Sequence, residues 1–231
     1  MGSLWKALLA ALGLGALASL SGTAATTKIK IVDRRKFAKL SERAAPHTRH
    51  RDVAPWALVL HQMAFSRGSD PDRYDRTTAH FKILPDGTIV WSWDDDVRLP
   101  AAGGLNEGSW SVEFAGNLPS QPGSQNPSHF YKPARFGMDQ LTAAQVQAGR
   151  DLIDHLIGRG LTTVLAHRQG GAGRGNDPGP DIWYRIAEWG IRERNLKWGG
   201  PDFSVGDGSP IPPWWRTWGD QLGGLDVPTV A

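Results

Sequence analysis

The chain has 231 residues with 26 basic and 23 acidic side chains, and 40% of its residues are hydrophobic. This length suits one domain with appendages or two very small domains, and the hydrophobic content excludes wholesale disorder. A mean hydropathy of −0.37 excludes a polytopic membrane protein. The lack of cysteine excludes disulfides, thiolate zinc sites and cysteine nucleophiles. The net charge of +3 favours anionic partners without requiring nucleic acid.

An apolar run at residues 7–20 follows Lys6 near the N-terminus. The run is too short to span a bilayer comfortably, but it has the length of the hydrophobic region of a signal peptide. Small residues follow at 21–26, and residues 23–25 fit a cleavage site. The pattern predicts an export signal over 1–25, with an uncleaved membrane anchor or a buried core helix as the alternatives.

Residues 26–52 form a basic leader, in which arginine and lysine outnumber the acidic residues from position 33 onward. We interpret it as a solvated segment, with a patch for an anionic polymer as the alternative. After the leader, apolar runs and alternating patterns predict strands. These strands are expected at 56–61, 79–84, 88–93, 109–116 and 161–167. The second and third strands form a hairpin around the Pro85-Asp86-Gly87 turn.

Two helices are predicted in the second half of the chain. Thr142 and Gln145 form a capping box at the start of a helix that extends to about Ile157. Its apolar face comprises Val146, Leu152, Ile153, Leu156 and Ile157. Pro180 begins a second helix, and its inward residues are Ile182, Trp183, Ile186 and Trp189. Loops are expected at 117–137 and, rich in glycine, at 168–176. The order of elements predicts one α/β domain with a mixed central sheet flanked by helices.

Two of the seven histidines lie at the ends of predicted strands, His61 and His167. Side chains at the carboxyl ends of strands line the ligand crevice of an α/β sheet, so the two can converge. Asp177 follows His167 by ten residues, across the glycine-rich loop. Two imidazoles, a carboxylate and an open position make a hydrolytic zinc site. Taken singly, His61 is better explained as a core histidine and Asp177 as a helix cap.

Two further charged residues are candidates for chemistry. Glu113 lies within a predicted strand between Val112 and Phe114. Burying a carboxylate among apolar neighbours is unfavourable unless it forms an ion pair or takes part in catalysis. The alternation of the strand is also compatible with a side chain that points to solvent. Arg174 lies in the glycine-rich loop, where it either stabilises an oxyanion or is solvated.

Four segments in this order resemble the type 2 N-acetylmuramoyl-L-alanine amidase family: LVLHQ, AHFKILPDGTIV, NEGSWSVEFAGN and LAHRQGGAGRGNDPGPDIW. These are zinc amidases related in fold to phage amidase lysozymes and peptidoglycan recognition proteins, and the resemblance covers residues 53–195. It implies that His61, His167 and Asp177 hold Zn²⁺. The strand SWSVE matches the family pattern S-x-x-x-E, which implies that Glu113 is the catalytic base. Asn106 opens the same stretch.

The sequence departs from the family pattern at three places. Ala79 stands where many relatives have a catalytic tyrosine, before His80, which matches a family histidine that is not a ligand. Gly175 stands where some relatives have a lysine, and Arg174 is one place further from Asp177. The His-Ala-Gly stretch of many relatives is replaced by residues 100–104, PAAGG.

The resemblance implies hydrolysis of the amide between N-acetylmuramic acid and L-alanine in peptidoglycan. Zinc would activate the amide and the water, Glu113 would transfer the proton, and Arg174 would help to hold the oxyanion. Peptidoglycan or a muropeptide is the expected partner, at an exported location in the periplasm, the cell envelope or the medium. We expect a monomer that binds no nucleic acid and contacts a membrane only through its N-terminal segment.

Three alternatives to this activity remain. They are a peptidoglycan-binding module without catalysis, a zinc hydrolase of another cell-wall peptide bond, and DNA binding by the leader, for which no motif is present. The expected division is a signal or anchor at 1–25, the leader at 26–52, the amidase domain at 53–196 and a tail at 197–231. Because the Trp-, Gly- and Pro-rich tail cannot build its own core, we expect it to pack on the domain. A strip that binds the cell wall is the alternative for the tail.

Overall fold

The computed structural model describes residues 29–226, so the predicted export segment lies outside the described residues. Its strands are β1 (Ile31–Asp33), β2 (Arg49–His50), β3 (Ala57–Gln62), β4 (Phe81–Ile83), β5 (Ile89–Trp91), β6 (Val97–Arg98), β7 (Ser109–Phe114) and β8 (Thr163–Ala166). Six of them form one sheet in the order β1-β5-β4-β7-β3-β8, and β2 pairs with β6 separately. Within the large sheet only the β4–β5 hairpin is antiparallel, which confirms the predicted mixed sheet.

The helices lie in the second half of the chain. They are α1 (Pro133–Phe136), α2 (Ala143–Ile157), α3 (Pro180–Ile182) and α4 (Trp189–Arg194), and a π-helical segment, Trp183–Glu188, joins α3 to α4. Short 3₁₀ turns occur at Ala45–His47, Pro71–Tyr74, Gly103–Leu105, Pro127–His129, His167–Gln169, Pro213–Arg216, Asp220–Leu222 and Gly224–Asp226. Within residues 29–226 we find no helix with the length and apolar character needed to span a bilayer.

The start of α2 confirms the predicted capping box. The backbone N–H of Gln145 donates to Thr142 Oγ1 at 3.0 Å, and the backbone N–H of Thr142 donates to Gln145 Oε1 at 3.2 Å. The predicted inward face of this helix is wrong at one position, because Ile157 is 36% exposed. Ile157 follows the buried Leu156 by one residue, which is about 100° of helix rotation, and therefore lies at the edge of the buried face.

The central strands β3, β4 and β7 are buried on both faces of the sheet. Alternate residues pack under the helices in the main apolar core, among them Leu58, Leu60, Phe81, Ile83, Val112 and Phe114. The residues between them face the opposite side and include His61, His80, Lys82, Ser111 and Glu113, since side chains alternate along a strand. The sheet therefore has one apolar face covered by helices and an opposite face, which we call the polar face, where these polar groups lie beside Ala57, Val59 and Leu165. The predicted functional residues of these strands lie on the polar face.

The basic leader joins the fold rather than extending into solvent. Its strand β1 pairs in parallel with β5 at the edge of the sheet. Arg34 donates to both carboxylate oxygens of Asp75, with distances of 3.1 and 2.6 Å. The backbone N–H of Lys39 donates to the Asp75 carbonyl oxygen at 2.8 Å. These bonds attach the leader to the segment between β3 and β4.

The described part of the tail contacts the helices. Ile211 and Trp215 are each 2% exposed and belong to the main core, whereas Trp214 is 44% exposed. Arg216 reaches back to the buried Glu188, with its Nε 2.5 Å from Glu188 Oε1. The indole N–H of Trp218 donates to the Pro180 carbonyl oxygen at 3.2 Å.

Candidate metal centre and cleft

The three predicted ligands come from three separate segments that meet at one edge of the sheet. His61 is the penultimate residue of β3, and His167 follows β8 directly. Because β3 and β8 are adjacent and parallel, their carboxyl ends lie at the same edge. The glycine-rich loop returns Asp177 to this edge, where the backbone N–H of Arg168 donates to the Asp177 carbonyl oxygen at 2.9 Å.

The side-chain atoms of this triad point at one another. His167 Nδ1 lies 2.9 Å from His61 Nδ1 and 2.9 Å from Asp177 Oδ2. His61 Nδ1 lies 3.9 Å from Asp177 Oδ1. All three residues are buried, and their possible ligand atoms lie within 4.8 Å of one another.

This geometry fits a bound cation. A ring nitrogen carries either a hydrogen or a lone pair, so His167 Nδ1 cannot both donate to Asp177 and accept from His61. A cation that accepts a lone pair from each of the three residues removes this conflict. Tetrahedral zinc would hold its ligand atoms roughly 3.3 Å apart, and the observed separations of 2.9 to 3.9 Å bracket that distance. Burial, and secondly the neighbouring His167, lower the pKa of His61 well below its usual value. The resulting neutral imidazole is the protonation state that metal ligation requires.

Gln62 holds the triad together, and sequence reasoning missed it. Its backbone N–H donates to Asp177 Oδ1 at 3.2 Å, and its side-chain amide donates to the Asn176 carbonyl oxygen. Gln62 Oε1 also accepts from the backbone N–H of Leu118 at 2.9 Å. One glutamine thus joins β3 to two loops. The only sequence signal was its position directly after His61.

Gln169 has a similar role beneath His167 and was also missed. It is fully buried, and its Oε1 accepts from the backbone N–H of Ala166 at 2.8 Å. Its side-chain N–H groups face the carbonyl oxygens of Trp198 and Phe203 at 3.3 and 3.4 Å. A polar residue at the start of a glycine-rich loop looks solvated in the sequence, so nothing there indicated its burial.

Glu113 lies beside the triad on the neighbouring strand, in register with His61. Its Oε2 is buried and has no hydrogen-bond partner in the part of the chain that the structure describes. Burial, and secondly the negative charge of Asp177, raise the pKa of Glu113 well above its usual value, while Arg174 and Lys82 oppose the shift. The carboxyl group lines the same cleft as His167 and Asp177.

Arg174 stands at the opening of the site. Its Nη1 is 3.9 Å from Asp177 Oδ2, and its side chain is 49% exposed. It lines both arms of the cleft described below. The guanidinium group is therefore placed where it can reach a bound molecule.

His80 and Asn106 have structural partners. The backbone N–H of Ser111 donates to His80 Nδ1 at 3.0 Å, which leaves Nε2–H to donate to the Val97 carbonyl oxygen at 2.8 Å. Burial lowers the pKa of His80 to about 3. Asn106 Oδ1 accepts from the backbone N–H groups of Ala101 and Ala102 at 3.0 and 2.6 Å. These bonds shape the segment that replaces the family's His-Ala-Gly stretch.

The cleft over the triad has two arms, which share His167, Arg174, Thr78, Pro100 and Ala101. The catalytic arm, of about 500 Å³, also includes Glu113, Asp177 and Tyr131. The leader arm, also of about 500 Å³, includes Ser41, Arg43 and His47 of the leader together with Gly171 and Ala172. His167 of the triad therefore lies where the two arms meet, and Asp177 lines the catalytic arm.

The fold and the site define an α/β protein with a His–His–Asp group at the carboxyl ends of its strands. The profile of the N-acetylmuramoyl-L-alanine amidase family matches residues 48–180, more than half of the chain, and the chain therefore belongs to this family. This confirms the resemblance found in the sequence. No curated protein is a significant sequence match to the chain.

Several solved structures are similar to the chain. N-acetylmuramoyl-L-alanine amidase LysC from Clostridium intestinale URNW is 18% identical with a TM-score of 0.50, and the match covers 73% of this chain and 99% of LysC. Drosophila peptidoglycan recognition protein SD is 18% identical with a TM-score of 0.47, and the match covers 66% of this chain and 89% of that protein. Drosophila PGRP-LB is 17% identical with a TM-score of 0.46, and the match covers 80% of this chain and 98% of that protein. At this level of identity, the likeness to LysC shows a shared fold.

Proposed function

We propose that the protein is a zinc-dependent N-acetylmuramoyl-L-alanine amidase, which hydrolyses the amide between N-acetylmuramic acid and L-alanine in peptidoglycan. One observation carries the proposal: His61, His167 and Asp177 converge in a cleft beside Glu113, a carboxyl group with an unpartnered oxygen. Membership of the amidase family supports the substrate class.

In this proposal His61, His167 and Asp177 hold the zinc ion. When bound, zinc polarises the amide carbonyl and lowers the pKa of water. Glu113 accepts the proton of the attacking water and delivers it to the leaving amine of L-alanine. Burial raises the pKa of Glu113, which makes it a stronger base than an exposed carboxylate once it is ionised. The guanidinium of Arg174 donates hydrogen bonds to the oxyanion.

Peptidoglycan binding without catalysis is the alternative that family membership leaves open. A binding module has no need of a base or of a complete ligand set. This chain has the triad, and Glu113 lies in register with His61 on the adjacent strand. The presence of both groups favours hydrolysis over binding alone.

Digestion of purified peptidoglycan by the full chain tests the activity. Mass spectrometry should find new L-alanine amino ends together with muramic acid residues that carry a free lactyl carboxyl group. New amino ends elsewhere in the peptide would indicate hydrolysis of another bond. Retained binding to peptidoglycan without new ends would indicate a binding module.

We further propose that residues 1–25 direct export and that the enzyme acts as a monomer. Peptidoglycan lies outside the inner membrane, so the proposed substrate agrees with the apolar N-terminal run. Fractionation of the native host with N-terminal sequencing tests export, and a cytoplasmic protein with an intact N-terminus would contradict it. Sedimentation analysis of the full chain tests the oligomeric state.

A further inference from the structure

The leader arm of the cleft has an unusual distribution of charge. Arg43, His47 and Arg174 line it, and within residues 29–226 no aspartate or glutamate does. The catalytic arm, by contrast, contains the carboxyl groups of Glu113 and Asp177. The two arms therefore present different chemistry to a molecule that crosses the triad.

Arg43 differs from the other arginines of the leader. Arg34 pairs with Asp75, Arg35 pairs with Asp33, and Arg49 pairs with Glu107, while Arg51 donates to backbone carbonyl oxygens. Arg43 is exposed, and within the described part of the chain it forms no ion pair with a carboxylate. Its guanidinium group is therefore free to bind an anion.

The leader residues of this arm are held in place by the fold. Ala44 is 5% exposed, and Thr48 Oγ1 donates to its carbonyl oxygen at 3.0 Å. Arg98 Nη1 donates to the His47 carbonyl oxygen at 3.1 Å. The backbone around Arg43 and His47 is thus attached to the domain beside His167, and the arm is built before any ligand binds.

We propose that Arg43 and His47 bind a free carboxylate of the substrate peptide and so select acidic over amidated stem peptides, while Arg174 adds positive charge at the junction of the two arms. This inference rests on the proposed function, in which the peptide leaves from a site next to the leader arm. A guanidinium group forms paired hydrogen bonds with a carboxylate, and it gains little from neutral sugar hydroxyls. An arm without acidic side chains also avoids repulsion of the ligand.

The test compares two muramyl peptides that differ only in a free carboxylate or a carboxamide on the residue after L-alanine. The wild-type protein should cleave the acidic substrate with a kcat/KM roughly 5-fold higher. Arg43→Ala should remove this preference through KM and leave kcat unchanged, and Arg43→Lys should restore part of it. Lys39→Ala removes one exposed leader charge outside the cleft and should keep the full preference. Added salt should raise KM for the acidic substrate alone.

Turnover of the amidated substrate separates this inference from the proposed function. If the wild type cleaves both substrates equally, or if Arg43→Ala keeps the preference, the carboxylate site is wrong while the amidase activity stands. If neither substrate is cleaved, the proposed function fails. Calorimetric binding of the same two peptides then decides, because a carboxylate preference that depends on Arg43 needs no catalysis. Equal melting temperatures of the variants show that each one is folded.

Discussion

The two faces of the central sheet are built from alternate residues of the same strands, yet they differ in chemistry. Under the helices, Leu60, Val112 and Phe114 are fully or almost fully buried among other apolar side chains. On the opposite face, their neighbours His61 and Glu113 are polar. In a parallel sheet that is covered on both sides, alternation separates two buried environments rather than core from solvent.

The comparison assigns packing of the core to the apolar face and the candidate site to the polar face. Two buried polar side chains of this face have protein partners: His80 bonds with Ser111, and Lys82 Nζ donates to Ser92 Oγ at 2.6 Å. Within the described residues, Glu113 Oε2 and His61 Nε2 are buried without a hydrogen-bond partner. Because unpartnered buried polar groups are unfavourable, these two atoms beside the triad are the ones that the proposed chemistry would explain. Four substitutions test this comparison.

The largest effect is expected for a metal ligand on the polar face. His167→Ala should lose stoichiometric zinc and lower kcat/KM by about 10³-fold or more, because the remaining two ligands do not hold the ion. Metal analysis and muropeptide turnover measure the two effects. His50→Ala removes an exposed histidine and should change neither. Stoichiometric zinc in His167→Ala would show that the ligand assignment is wrong.

On the apolar face, Leu152→Ala should reduce the free energy of unfolding by about 3 kcal/mol, because it leaves a cavity under the sheet. Leu152 is fully buried in the main core. Urea unfolding measures the loss, and kcat of the folded variant should be unchanged. Gln147→Ala on the exposed side of the same helix should stay within about 0.5 kcal/mol of the wild type. Equal stability of Leu152→Ala and the wild type would refute the assignment of stability to this face.

Glu113→Gln keeps the shape of the side chain and removes the base. It should keep zinc and the fold but lower kcat by about 10²-fold or more, which corresponds to about 2.7 kcal/mol in the barrier. Steady-state kinetics with parallel metal analysis measures both. Glu107→Gln, in the ion-paired segment before β7, serves as the matched control. Near wild-type kcat in Glu113→Gln would exclude its role as the base.

Lys82 is the polar-face residue expected to reduce stability. Its side chain is fully buried, and burial lowers its pKa from 10.5 to about 8, although Asp75 and Glu113 attract the charge and Arg34 adds to the lowering. Below pH 8 Lys82 is protonated in both the folded and the unfolded chain, so folding bears the full free-energy cost of burying the charged ammonium group. Between pH 8 and 10.5 the unfolded chain binds more protons, so stability rises with pH.

Lys82→Met should therefore raise the free energy of unfolding at pH 7 by about 1–2 kcal/mol, less than the full shift implies because the bond to Ser92 is lost. The gain over the wild type should shrink at pH 10. Urea unfolding at both pH values measures it, with Lys39→Met as the exposed control. A variant less stable than the wild type at pH 7 would mean that the carboxylates of Asp75 and Glu113 more than compensate for burial.

The sequence by itself located five of the eight strands in residues 29–226, the two longer helical segments and a candidate site, but not the short strands β1, β2 and β6. Apolar runs and turn residues located the strands and the hairpin, and Thr142 and Gln145 located the start of α2, because these signals come from neighbouring residues. The positions of His61 and His167 at strand ends indicated a site before any contact was known. The assignment of His61, His167, Asp177, Glu113 and Arg174 to zinc and catalysis remains a prediction for the variants to test.

Tertiary structure alone decided how the site is held and what surrounds it. The roles of Gln62 and Gln169 depend on hydrogen bonds to loops far along the chain, from Leu118 to Phe203. Arg43 lies on one side of the cleft because β1 pairs with β5 and Arg34 pairs with Asp75. The spacing of apolar residues predicts which side of a single strand or helix is buried. The contacts of Gln62, Gln169 and Arg43 depend instead on how several distant segments are arranged in space. The cationic leader arm therefore became visible only when those segments were brought together by the sheet.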